Sequence, residues 1–81
     1  MTRDEIAAEV VEVLSELADV DPAGVTEGSS LVIDLEIDSL LMVEIFVALE
    51  SHFGVTLPKD DLPELQLVSD LVTHIDKHLA A

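Results

Sequence analysis

At 81 residues the chain has room for one small domain, and its net charge of −15 makes nucleic acid and anionic membranes poor partners. Hydrophobic residues at 49% are too many for a disordered chain, and aromatics at 2% leave a core packed by aliphatic side chains. There is no cysteine, so any thioester chemistry needs a thiol brought in on a cofactor.

Residues 1–5 lack the basic region and apolar stretch of a signal peptide. The apolar runs 40–43 and 45–49 are too short to span a bilayer, so a cytoplasmic monomer is expected. Helix one starts at a capping box, Thr2 as N-cap and Glu5 as its reciprocal partner. Ile6, Val10, Val13, Leu14 and Leu17 recur at helical spacing, with Glu9, Glu12 and Glu16 largely off that stripe. Asp19-Val20-Asp21-Pro22 ends the helix, because the residue before a proline is pushed out of helical geometry.

A long connection follows, containing Gly24, Gly28, Ser29 and Ser30. Val25, Leu31, Ile33 and Leu35 give it hydrophobic anchors, so an ordered loop is expected. It closes on Asp38-Ser39-Leu40. Asp38 suits an N-cap, which puts the Ser39 hydroxyl at the first helical position, beside a terminus that favours a phosphate. That is a good place to attach a phosphodiester. Without a base beside it, the hydroxyl is a poor nucleophile.

Helix two is predicted from Ser39 to Phe53, with Gly54 as its C-terminal glycine and Val55 as the hydrophobic partner. At 100° per residue Met42, Ile45, Phe46, Leu49 and Phe53 form the core face. Leu40, Val43 and Val47 form a second stripe, bordered by Glu44 and Glu50. Leu57-Pro58 forces an extended turn, and Asp60 or Asp61 can cap a short helical turn through Leu65, with Pro63 in its first turn. Val68, Leu71, Val72, Ile75 and Leu79 mark the last helix, whose end is favoured by Lys77 and His78. The expected fold is all-α: three longer helices and one short one, with a long ordered loop between helices one and two. Residues 1–81 are read as a single domain.

Taken alone, Asp38-Ser39-Leu40 is an ordinary capped helix start. The residues around it change the weighting. With Val43-Glu44-Ile45, Ala48-Leu49-Glu50, Phe53-Gly54-Val55, Leu57-Pro58 and the C-terminal Leu71-Val72 and Ile75, it resembles the acyl carrier proteins over essentially the whole chain. The resemblance implies a 4'-phosphopantetheine arm on Ser39, preceded by Asp38, whose thiol carries acyl groups as thioesters. It implies a non-catalytic protein serving fatty-acid or polyketide synthases. The implied partners are a phosphopantetheinyl transferase, a ketosynthase, an acyltransferase and other synthase enzymes. It also makes Leu40, Val43, Glu44 and Val47 a partner-facing surface, rimmed by Glu36 and Glu50. The bland alternative for the apolar stripe is spare core. In carriers of fatty-acid type a pocket for the acyl chain opens among core residues, here Met42, Phe46, Leu49, Phe53, Val68, Leu71 and Ile75; under the bland reading these are simply core.

Two positions depart from the family pattern. Glu36 stands where a glycine is usual, and Leu41 where an acid is common, which makes the surface beside Ser39 more adhesive. The stretch 49–55 is similar to discrete polyketide carriers. Other readings are weaker. Asp19, Asp21 and Gly24 fit three positions of a calcium loop, but Ala23 and Ser30 stand where ligands are needed, so no metal is expected. His74 and His78 have the spacing of metal ligands but no third partner, and read as solvated; His52 reads as a surface residue. No Gly-x-Ser-x-Gly and no glycine-rich phosphate loop occurs, which leaves an enzyme without machinery. The alternative from another class is an acidic helical adaptor that binds a basic partner without a cofactor.

Overall fold

The computed structural model describes residues 1–79. Helix α1 spans Arg3–Ala18 and opens on the expected capping box: Thr2 Oγ1 accepts from the Glu5 N–H, and Glu5 Oε1 accepts from the Thr2 N–H. That pairing holds the Glu5 carboxyl below the usual carboxylate range. The helix ends earlier than the proline argument requires. Asp19 adopts the left-handed region, φ 55°, and the Val20 N–H donates to the Ser15 carbonyl at 3.1 Å. The closure is a reversed terminal turn, a geometry that aspartate tolerates better than most residues. Pro22 instead starts a one-turn 3-10 helix, Pro22–Gly24, capped by Asp21, whose Oδ1 accepts from the Ala23 N–H at 2.9 Å. That hydrogen bond accounts for the aspartate without a metal.

Helix α2 spans Ser39–Phe53 and stops at Gly54 in the left-handed region, φ 67°, which costs glycine nothing. The segment Lys59–Glu64 is a short 3-10 helix, and neither Asp60 nor Asp61 caps it: Pro58 holds the cap position, with no side-chain bond. Pro63 sits near the end of that segment. It occupies the second position of a turn closed by the Leu65 N–H on the Leu62 carbonyl, where its fixed φ fits and no N–H is required. Helix α3 spans Val68–Leu79.

Helix α1 packs against both α2 and α3. Ile6, Val10 and Leu14 of α1 meet Ile45, Phe46 and Leu49 of α2 and Leu71, Val72 and Ile75 of α3, all without solvent exposure. Leu17, expected on the apolar stripe, is exposed, while its neighbours Ala18 and Val20 pack against the core. The long loop is ordered as expected, with Val25, Leu31 and Leu35 buried. Ile33 is the exception. It is 80% exposed, while Ile37, which periodicity did not single out, is buried to 2% and anchors the loop's end. The backbone turn over residues 30–34, where Asp34 Oδ2 and the Ser30 carbonyl take up local N–H groups, points Ile33 outward.

Three backbone hydrogen bonds join this loop to the start of α3: Leu31 N–H to Gln66 O, Val68 N–H to Ser29 O, and Ser69 N–H to Glu27 O, at 2.9–3.0 Å. Arg3 adds a side-chain clasp, its guanidinium donating to Thr73 Oγ1 at 2.9 Å and to Glu27 Oε1 at 2.8 Å. The loop leading to Ser39 is thereby fastened to two helices rather than left loose.

Candidate functional site

Asp38 Oδ1 accepts from the Leu41 N–H at 2.8 Å, and the Asp38 carbonyl accepts from the Met42 N–H at 2.9 Å. The aspartate therefore caps α2 with both its side chain and its backbone, so Ser39 is the first residue of the helix. Ser39 is exposed. The N–H groups of Ser39 and Leu40 have no carbonyl one turn back, and with the aligned peptide dipoles they favour an anionic group beside the serine hydroxyl. Ser39 has no general base at hand. Its nearest acid is spent on the cap.

Beside Ser39 opens a groove of about 540 Å³. Its walls are Val32 and Ile33 of the loop, Met42 and Val43 of α2, and Leu62 and Pro63 of the short helix. A mostly aliphatic trough that begins at an exposed serine fits an arm with an apolar cargo, and the helix terminus fits the phosphate at its root. The residues present therefore suit a phosphopantetheine group.

Of the seven residues expected to surround an acyl chain, Met42 alone lines this groove. Phe46, Leu49, Val68, Leu71 and Ile75 are packed in the core without exposure, and Phe53 is half-buried at its edge. The groove wall supplied by Val32, Ile33, Leu62 and Pro63 went unnoticed in the sequence. An apolar residue in a turn carries no periodicity, so the only available signal was Val32-Ile33 standing beside the acid and polar residues of an irregular loop.

Leu40, Val43 and Val47 are exposed at 73%, 42% and 50%, and Glu44 and Glu36 are exposed with them. Leu41, at the position where an acid is common, is half-buried against the core. Glu50 faces differently. Its Oε2 accepts from the Leu57 N–H at 2.9 Å, which holds its carboxyl below the usual range, and Lys59 Nζ approaches its other oxygen at 3.4 Å. Glu36 has φ 54°, in the left-handed region where a glycine would be unstrained.

The histidines also separate. His52 pairs with Glu9 on the surface at 2.8 Å. His74, read from the sequence as solvated, has a side chain only 10% exposed, because the short helix covers it. Among the described residues no cluster of three or more His, Asp or Glu side chains could hold a metal ion, and no helix is long and apolar enough to cross a membrane.

The family model described as the phosphopantetheine attachment site matches residues 8–75. The chain is 44% identical over 77 residues to the meromycolate extension acyl carrier protein of Mycobacterium leprae, covering 95% of this chain and 67% of the relative. It is 45% identical over 76 residues to an acyl carrier protein of Rhodococcus erythropolis (94% and 84% covered). To an acyl carrier protein of Thermobifida fusca it is 47% identical over 73 residues (90% and 92% covered). The chain belongs to the acyl carrier protein family of phosphopantetheine-binding proteins. It bears 4'-phosphopantetheine and carries acyl groups; it does not catalyse their reactions.

Proposed function

We propose that Ser39 is the attachment residue, and that residues 1–81 act as one carrier domain for the growing chain of a fatty-acid synthase rather than a polyketide synthase. The observation that carries this reading is the exposed Ser39 at the capped start of α2, opening onto an aliphatic groove of about 540 Å³. The relatives' names, meromycolate extension above all, support a long aliphatic cargo. When bound, the arm supplies the thiol that holds the acyl group as a thioester. The chain's own part is mechanical. Asp38 fixes the first turn of α2, the Ser39 and Leu40 N–H groups stabilise negative charge at the attachment point, and Val32, Ile33, Met42 and Leu62 cover apolar cargo.

A phosphopantetheinyl transferase, a ketosynthase and an acyltransferase are the proposed partners, in the cytoplasm. They read Leu40, Val43 and Val47 with Glu44 and Glu36 at the rim, apolar contacts setting residence and charge setting encounter. Glu50, tied to the Leu57 N–H, stands apart from this rim.

The test is transfer of the arm from coenzyme A by a phosphopantetheinyl transferase, read by intact mass. Wild type is expected to gain one adduct and Ser39→Ala none. An adduct on Ser39→Ala, or none on wild type, overturns the assignment.

A further inference from the structure

His74 is poorly matched to its surroundings. It sits on α3 beneath the short helix, its ring stacked against Phe46 with centroids 6.0 Å apart and met edge-on by His78 at 4.6 Å. Its Nε2 is buried and has no hydrogen-bond partner. The nearest acceptor is Asp61 Oδ2 on the short helix at 3.6 Å, just too far for a hydrogen bond. A buried polar atom left unpaired costs stability, so a structure that keeps one invites a functional reason.

The charged and titratable groups around it come from two elements. The short helix brings Asp61 and Glu64, α3 brings His78 and Lys77, and α2 presents only the uncharged ring of Phe46. Burial comes first in pushing the His74 imidazole below its ordinary value, with His78 next and Asp61 opposing. At neutral pH the ring is therefore uncharged, and the approach to Asp61 stays unmade.

We infer that His74 and Asp61 form a proton-operated latch that sets the position of the short helix, and with it one wall of the groove beside Ser39. Taking up a proton from solvent turns both ring nitrogens into donors. Nε2–H then donates to Asp61 Oδ2, and a charged hydrogen bond of ordinary length is shorter than the present 3.6 Å. Asp61 is partly exposed and its helix lacks a side-chain cap, so the short helix is the element that moves. Leu62 and Pro63 follow Asp61 in the chain and line the groove, so drawing Asp61 toward α3 shifts that wall. His74 is a positioning residue here. It touches no cargo. The groove's use for an acyl chain rests on the function proposed above; the latch itself does not.

The test uses the full, unmodified chain, isotopically labelled and followed by NMR from pH 8 to 5. A His78→Gln sample assigns the two neighbouring rings. The His74 ring is expected to titrate below the ordinary histidine value of about 6.5. The amides of Asp61, Leu62 and Leu65 and the methyl groups of Ile33 and Met42 are expected to move with the same midpoint. In Asp61→Asn, at a partly exposed position that leaves the fold intact, the His74 midpoint falls and the movement at Ile33 and Met42 disappears. Groove signals that follow His78 or the carboxylates instead overturn the latch. So does an Asp61→Asn chain with an unchanged His74 midpoint. Because no arm is attached in these samples, failure of transfer to Ser39 removes the carrier assignment and leaves the latch, and the reverse also holds.

Discussion

Replacing Glu36 by glycine is expected to stabilise the protein. Glu36 is held at φ 54°, where a side chain crowds the following carbonyl, at a cost of about 1–2 kcal/mol. Glycine removes that strain but brings about 0.5–1 kcal/mol of extra backbone entropy to lose on folding. At the middle of both ranges the net gain is about 0.5–1 kcal/mol, and for a domain this small each kcal/mol is about 4–8 °C. Glu36→Gly should therefore melt about 2–8 °C above wild type in thermal denaturation followed by circular dichroism. Removing one of 18 acids from a chain of net charge −15 also eases repulsion, so a control is required. Glu36→Ala removes the same charge and keeps the strained geometry. If alanine gains as much as glycine, the effect is charge and the backbone argument is wrong. If glycine lowers the melting temperature, the loop depends on the glutamate side chain and the strain is illusory.

Glu44→Lys is expected to slow transfer of the arm to Ser39 several-fold without unfolding the protein, whereas Glu12→Lys on α1, an equal change of charge, leaves transfer near wild type; equal losses would mean that net charge alone matters. Glu50→Gln should lower the melting temperature at pH 7, because the carboxylate that accepts from the Leu57 N–H is lost. Its folded pKa lies below the unfolded value of 4.5, so the stabilisation is present above that value and disappears as pH falls through the folded pKa. The gap between Glu50→Gln and wild type should accordingly close in melts taken below that pH, and a constant gap would rule out this origin. Ile37→Ala empties a buried site at the loop's end and should cost about 2–5 kcal/mol by chemical denaturation, a large share of the roughly 4–12 kcal/mol expected of a domain this size. A cost below about 1 kcal/mol would show that the loop is not anchored there.

Helix positions were legible because each carries several agreeing signals: the Thr2–Glu5 box, the Asp38 cap, Gly54, and stripes of aliphatic residues at helical spacing. The serine was legible for the same reason, being fixed by the cap that precedes it. Irregular segments were not. Ile33 and Ile37 are the same residue type four positions apart, one exposed and one buried, and only the turn closed on Ser30 and Asp34 decides between them. Asp60 and Asp61 resembled caps, yet Pro58 with its fixed φ took that place. His74 looked terminal and wet because its cover is the short irregular helix just before α3, whose fold back over α3 no periodicity announces. The groove shares that cause. Its walls come from three segments, and no window of sequence contains them together.

The backbone bonds from Leu31, Val68 and Ser69 have a consequence for hydrogen exchange. Amide protons become exchangeable only when their segment opens, and segments joined by hydrogen bonds open as cooperative units. The loop that precedes Ser39 should therefore exchange in step with the first turn of α3, far along the chain, rather than with the α2 residues that directly follow the serine. An enzyme gripping that loop would slow exchange at Val68 and Ser69 without touching them, so protection at the start of α3 would report engagement at the opposite side of the carrier's loop.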